Sequence, residues 1–372
     1  MLEKLKISKK LLRELDYSIV IIAIMIVLYS CLNIYSATFR NVGVYYTKLQ
    51  LIWLCLGLFV IYIILLIDYT IIGNYASIIY WFGIVLLVLN DFVLGSIHKG
   101  SNAWISIGSR AIQPSEFAKL GMMVMLAKLL NDMEGNINKP KNFLKLVFYA
   151  LLPMILIVIQ PDMGMTMVTF SIVLGIFFIA GLDLRVILGG LASLVVLVVG
   201  IWNSPLMKPY WKGRLVAFLN PEAYSRSLSF QLNQSIMGIG SGKILGEGFT
   251  KGLQIAGNNV PEAHTDFIFS VVGEEWGLVG AIFLLVLYGF MIYKFIKIAK
   301  NSKDIFGSIV TIGVISTFLF SILQNIGMTI GLMPITGITL PLMSYGGSSI
   351  LSNFMSIGLV LNIGMRKKKI NF

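Results

Sequence analysis

Long apolar runs, broken by short polar stretches, recur along the whole 372-residue chain. They fall at 17–36, 49–67, 75–94, 114–130, 146–160, 164–181, 186–202, 265–290, 305–325 and 343–363. As helices, runs of this length cross a hydrocarbon core of about 30 Å. The runs 114–130 and 146–160 are short, and the first of these carries Glu116, Lys119 and Lys128. None alternates apolar and polar residues as a barrel strand does. A lipid-exposed backbone must also satisfy its own hydrogen bonds, which favours helices. The pattern predicts an all-α polytopic membrane protein of about ten transmembrane helices. It predicts one domain over 1–372, with a long loop at about 203–264 between helices seven and eight.

Composition supports the class: 57% of residues are hydrophobic and 12% charged, about half the charged share of a soluble globule. Charge then gives orientation. With the N-terminus inside, Lys4, Lys6, Lys9, Lys10, Arg13, Lys139, Lys141, Lys145, Arg185, Lys294, Lys297, Lys300, Lys303 and Arg366–Lys369 all fall on one side. That is 17 of the 29 basic residues, in short segments. Such a bias marks the cytoplasmic face, so both chain ends are expected inside. The net charge of +12 reads as a topology signal rather than a nucleic-acid footprint. Cys31 and Cys55 lie in apolar runs at no metal or redox spacing. The first apolar run lacks a small-residue cleavage pattern, so a removed leader is not expected.

Polar residues inside or at the ends of such helices usually face a cavity or a partner. Asp91, Glu116, Asp162, Glu262, Asp266, Glu274 and Glu275 all map near the outer ends, so chemistry is expected there. In HKGSNAWISIGSRAIQPSEFAKL, His98–Leu120, Pro114 opens a helix and Glu116 sits in its first turn. Lys119 shares a face with Glu116, and Arg110 lies just before. Two fixed cations suit a diphosphate group; alternatively, Lys119 only neutralises Glu116. Asp162, in IQPDMGMT, is either a cap or a ligand contact.

The glycine-rich GIGSGKILGEG, Gly238–Gly248, lacks the Ser or Thr that must follow the lysine of a phosphate loop. Its glycines are expected to let short helices pack closely. Ser227–Met237 reads as an amphipathic surface helix. In VPEAHTDFIF, Asp266 precedes Phe267, Ile268 and Phe269, and apolar surroundings would raise its pKa toward that of a general base. Asp266 or Thr265 could instead cap the next helix. His264 is a weak metal candidate, since only one other histidine exists. Pro334 and Pro341 interrupt the segment Asn325–Ser349. There Ser344, Ser348 and Ser349 flank Gly346 and Gly347, either as tight packing or as a cavity wall.

Taken together, PEAHTDFIF with GEE at 273–275, QPSEFAKL at 113–120, QPDMG at 160–164 and GLMPITGITLPLMSYGGSS at 331–349 resemble the signature segments of the SEDS family (shape, elongation, division and sporulation). The likeness covers essentially the whole chain. NPE at 220–222 and QSIMGIGSGKILGEG resemble the RodA branch more than the FtsW or SpoVE branches. The resemblance implies a ten-helix peptidoglycan glycosyltransferase in the bacterial cytoplasmic membrane. It would polymerise lipid II at the outer face and release undecaprenyl diphosphate, in cell elongation and shape maintenance, beside a class B penicillin-binding protein. It implies Asp266 as the catalytic carboxylate. It implies Arg110, Lys119 and Glu116 at the substrate, with His264, Ser344 and Ser348 as further substrate contacts. A divalent cation, magnesium or manganese, is left open. A lipid II flippase and a non-catalytic scaffold are the alternatives; a flippase needs polar groups along a path through the membrane.

Overall fold

The computed structural model describes residues 8–98, 101–108, 110–202, 204, 212, 213, 216, 218 and 229–367. NPE at 220–222 and most of 203–228 lie outside them. The helices are α1 (Lys9–Glu14), α2 (Tyr17–Val42), α3 (Tyr45–Leu66), α4 (Tyr69–Asn74), α5 (Ala76–Leu89), α6 (Pro114–Asp132), α7 (Pro140–Ile159), α8 (Met163–Ile179) and α9 (Leu184–Trp202). They continue with α10 (Phe230–Ser241), α11 (Leu253–Ala256), α12 (Ile268–Lys300), α13 (Ile305–Thr329) and α14 (Gly347–Met365). Among the described residues, eight helices are long and apolar enough to cross a membrane. Of the ten expected spans, the two outside that group are the charged α6 and the 17-residue α8.

Burial explains how α6 tolerates its charges. Almost every residue from Pro114 to Leu130 is buried, because α5, α7, α8, α13 and α14 all pack around it. Its ionisable groups therefore meet protein rather than lipid. By contrast, α9 buries no residue and touches the bundle lightly, at α8. Cys31 is buried and Cys55 exposed.

The all-α expectation needs one correction. After a π-helical turn at Asn90–Leu94, strands β1 (Gly95–His98), β2 (Ser101–Ile107) and β3 (Arg110–Ile112) form an antiparallel sheet in the order β1-β2-β3. Ser96 pairs with Trp104, and Ile107 with Arg110. These strands are too short and too mixed in polarity to register as apolar runs. The sheet is pinned to helix ends: the Asn90 amide donates to the Asn102 carbonyl (2.6 Å), and the Asn102 N–H donates to the Gln160 carbonyl (3.2 Å).

The glycine-rich segment has a structural task. Helix α12 breaks at Gly277, whose φ is 62°, and a break at membrane depth frees backbone groups that must find partners. The segment supplies them in both directions. Glu247 and Gly248 donate N–H to the carbonyls of Glu274 (2.9 Å) and Glu275 (3.1 Å), while Leu278 and Val279 donate to those of Lys243 (3.0 Å) and Ile244 (3.1 Å). Contact is close enough that a Cβ on Gly242 or Gly246 would collide with α12 backbone. The expected helix there runs from Phe230 to Ser241.

At the opposite end of the bundle, Asp68 caps α4 by accepting from the Thr70 N–H (3.0 Å) and pairs with Arg366 (3.1 Å). Burial alone would raise its carboxyl; the Thr70 hydrogen bonds and the Arg366 guanidinium outweigh that and hold it below the ordinary carboxylate value.

Gly246 combines a left-handed φ of 79° with that backbone collision. Gly246→Ala is expected to destabilise the purified protein by about 1–3 kcal/mol. Gly240→Ala, in α10 with open space around it, should leave stability unchanged or slightly raised. Thermal melting in detergent separates the two, and equal melting would mean the segment is not held against α12.

Candidate active site

Two buried charges anchor the site. Glu116 and Lys119 are each 4% exposed, and Lys119 Nζ lies 2.5 Å from Glu116 Oε2. The Ser352 hydroxyl on α14 donates to the same carboxylate oxygen. Glu116 also sits in the first turn of α6, where free backbone N–H groups favour an anion. Lys119 thus neutralises Glu116, and both side chains line a narrow cavity.

The remaining wall comes from three other elements. Gln113, just before α6, donates its side-chain amide to Asp162 (2.9 Å), and its backbone N–H donates to the Ser348 hydroxyl (3.2 Å). Asp162 caps α8 by accepting from the Met165 N–H (2.9 Å). It is thus both a cap and a cavity residue. Ser321 of α13, Ser349 and Asn353 of α14, and Gly337 and Thr339 of the connecting segment complete the lining.

Asp266 lies at the edge of this cavity. It is half-buried in a run of turns before α12. A Cβ placed on Gly337 would stand 3.4 Å from Asp266 Oδ2, so the carboxylate rests over a residue of the cavity wall. The Asn325 amide fixes this juxtaposition by donating to the carbonyls of Asp266 (2.8 Å) and Ile338 (2.7 Å). The Ser344 hydroxyl donates to the Thr265 carbonyl (2.6 Å) and accepts from the Leu340 N–H (2.8 Å). The Tyr345 N–H donates to the His264 carbonyl (2.9 Å). Ser344 and Ser348 therefore hold the framework through backbone and side-chain bonds.

The capping alternative for Asp266 and Thr265 is not what the structure shows. Helix α12 starts at Ile268, and its cap position is Phe267, which makes no side-chain cap bond. Thr265 instead donates its hydroxyl to the Glu262 carboxylate (2.8 Å). Phe267 takes the cap position between Asp266 and the helix, and it is needed in the core with Ile268, at 1% and 0% exposure.

The acidic residues grouped by sequence separate into two sets. Glu116 and Asp162 line the cavity, and Asp266 rests over Gly337 of its wall. Glu274 is consumed by structure, accepting backbone N–H groups of Gln254 (2.6 Å) and Ile255 (3.2 Å), while Glu275 accepts from Ser36 and Asp91 from Gln160. His264 stacks on Tyr46. Among the described residues, no three His, Cys, Asp or Glu side chains come together in a way that could hold a metal ion. The Arg110 side chain lies outside the description; its backbone belongs to β3, three residues before Gln113. Gln113, Asn325 and Asn353 were missed as site residues, although amides within or beside apolar helices were signal enough.

Comparison with known proteins bears on this arrangement. Residues 13–369 match the family model for FtsW, RodA and SpoVE, described as cell cycle protein. Stage V sporulation protein E of Bacillus subtilis is 34% identical over 365 residues, covering 94% of this chain and 96% of that protein. Peptidoglycan glycosyltransferase MrdB of Escherichia coli is 33% identical over 360 residues, covering 96% and 95%. Among solved structures, a chain from a peptidoglycan synthase complex that coordinates polymerisation and crosslinking superposes with a TM-score of 0.81 at 30% identity, covering 94% of this chain and 97% of that one. The rod shape determining protein RodA of Thermus thermophilus does so with a TM-score of 0.72 at 28% identity, covering 95% and 98%. With motifs, fold and near full-length coverage in agreement, the chain belongs to the FtsW–RodA–SpoVE family, the SEDS proteins.

Proposed function

We propose that Asp266 is the general base with which this peptidoglycan glycosyltransferase joins lipid II units into glycan strands. The observation that carries the reading is the carboxylate resting over Gly337, at the edge of a cavity that also holds Lys119 and Glu116. Asp266 takes the proton of the acceptor sugar's 4-hydroxyl as that oxygen bonds to the anomeric carbon of the donor. The bond from that carbon to the diphosphate breaks, and undecaprenyl diphosphate leaves. Lys119, with Arg110, stabilises the charge that develops on the leaving group. Glu116 holds Lys119 in place through their ion pair.

Topology supports the same assignment. Ten spans with both ends in the cytoplasm make one domain of 1–372. The site then faces the extracytoplasmic side, where the linker 203–264 also lies. The basic-residue bias supports this orientation. A class B penicillin-binding protein is the proposed partner, supported by the relative seen in a complex that couples polymerisation to crosslinking. The RodA-like QSIMGIGSGKILGEG segment supports a role in elongation. A flippase is disfavoured because α6 turns apolar beyond Lys119: Met122, Met123, Val124, Met125 and Leu126 are all buried.

Asp266→Asn keeps size and removes the basic oxygen. With purified protein, its partner and lipid II, it should fold normally and lose polymerisation by about 10²-fold or more. Full activity would remove Asp266 from the mechanism. Lipid translocation by the wild type without polymer would favour the flippase.

Lys119→Ala strands a buried carboxylate, which costs about 3–5 kcal/mol, so lost activity alone is ambiguous. Lys119→Ala with Glu116→Gln removes both charges and should regain much of the stability while activity stays low. Lys212→Ala, outside the cavity, should behave as wild type. Recovery of activity along with stability would return Lys119 to a structural role. Orientation is read by cysteine labelling: residues 138 and 301 should be accessible from inside and residue 230 from outside, and an outside label at 301 would overturn the ten-span map.

A further inference from the structure

Three segments far apart in sequence bring aromatic rings together beside the proposed base. Tyr46 comes from the first turn of α3, His264 from the loop before α12, and Tyr345 from the turn before α14. His264 stacks on Tyr46 with ring centroids 4.9 Å apart and planes at 30°. Tyr345 meets Tyr46 edge-on at 4.7 Å and His264 at 6.1 Å. Tyr45, 57% exposed, extends the cluster outward at 5.3 Å from Tyr46. Tyr46, His264 and Tyr345 are all half-buried, so each keeps some surface uncovered.

Such a cluster has an ordinary explanation, since tyrosines gather at membrane interfaces. Two features go beyond it. A histidine takes part, and the rings are fastened to the base loop itself through the Tyr345 N–H to the His264 carbonyl and the Ser344 hydroxyl to the Thr265 carbonyl. The same two residues before Asp266 thus carry both the stack and the geometry of the carboxylate. Aromatic faces are electron-rich, and their edges and hydroxyls form hydrogen bonds. A pyranose ring presents the complement: a face of C–H groups and a rim of hydroxyls.

We infer that the Tyr46–His264–Tyr345 stack is a subsite for a pyranose ring, seating the acceptor sugar so that its hydroxyl reaches Asp266. This rests on the glycosyltransferase reading of Asp266. The donor's diphosphate belongs at Lys119, inside the cavity; a sugar resting on His264 lies two residues from the base and is therefore the one that gives up its proton. Tyr46 here is a binding residue and His264 a positioning residue as well.

The test compares Tyr46→Phe, which keeps the ring, with Tyr46→Leu, which keeps apolar bulk and loses it. Polymerisation is measured with the purified protein, its partner and lipid II. A soluble β-1,4-linked N-acetylglucosamine trisaccharide serves as competitor, and thermal melting checks the fold. Tyr46→Phe, which loses only the hydroxyl, should raise KM less than Tyr46→Leu does. Tyr46→Leu should melt like wild type, raise KM for lipid II by about tenfold with a smaller change in kcat, and be less sensitive to the trisaccharide. Equal KM and equal trisaccharide sensitivity in Tyr46→Leu and wild type would overturn the subsite and leave an interfacial anchor. A fall in kcat with KM unchanged would also overturn it, because the stack would then only brace Asp266. Full polymerisation by Asp266→Asn is the separate result that would sink the underlying reading of the base.

Discussion

A lysine and a glutamate buried side by side in an apolar bundle set the terms for the site around them. Neither Glu116 nor Lys119 could sit at 4% exposure alone, since an isolated buried charge costs far more than a fold's net stability. Together they satisfy part of each other, and the Ser352 hydroxyl and the N-terminus of α6 supply more. This demand explains why α6 is so thoroughly enclosed and why polar groups of α13 and α14 face it. It also explains why the pair is useful. A cation held in a low-dielectric, pre-formed site acts on a developing negative charge more strongly than one in water, and needs no reorganisation to do so.

The pair fixes only one side of the cavity; the other depends on backbone that is not helical. Between α13 and α14 the chain runs irregularly from Ile330 to Gly346, where unpaired amides would be costly. Asn325, fully buried on α13, answers the Ile338 carbonyl of that segment and the Asp266 carbonyl at once, and so joins the segment to the Asp266 loop. The break at Gly277 is answered in the same manner, by the glycine-rich segment lying along α12. Irregular chain is thus given hydrogen-bond partners as helix is, and the Asp266 loop is tied down by the first of these repairs.

Most of the helices could be read from apolar length alone, because lipid enforces that pattern on every exposed span. Even α6 could be found, although its charges weakened the pattern. The β1–β3 sheet could not, since three short strands over helix ends leave no apolar run, and their register depends on distant partners such as Gln160. At the site, Asp266, Glu116 and Lys119 stood out because charge near lipid demands a reason. The roles of Thr265 and Glu274 did not. Thr265 looked like a cap, yet the helix begins only at Ile268, with Phe267 at the cap position and both side chains in the core. Glu274 looked like a candidate beside Asp266, yet its partners are backbone groups twenty residues back. Local sequence reports that a polar group needs a partner, but the tertiary fold decides which one.

That distinction sorts the carboxylates of this end by what remains for chemistry. Glu274 accepts from two backbone N–H groups and braces the turn at Leu253–Ala256. Asp162 divides its oxygens between the α8 cap and Gln113. Glu116 is committed to Lys119 and Ser352. Each of these is an acceptor already in use, and protonating it would break a bond that supports the fold. Asp266 is held through its main chain as well. The Asn325 amide secures it through its backbone carbonyl, and the cap position of α12 belongs to Phe267. Its carboxylate can therefore be held over Gly337 while the proton it carries changes. The proposed base would gain and lose a proton in each turnover, and anchoring by the main chain, as the Asn325 bond provides, suits that role.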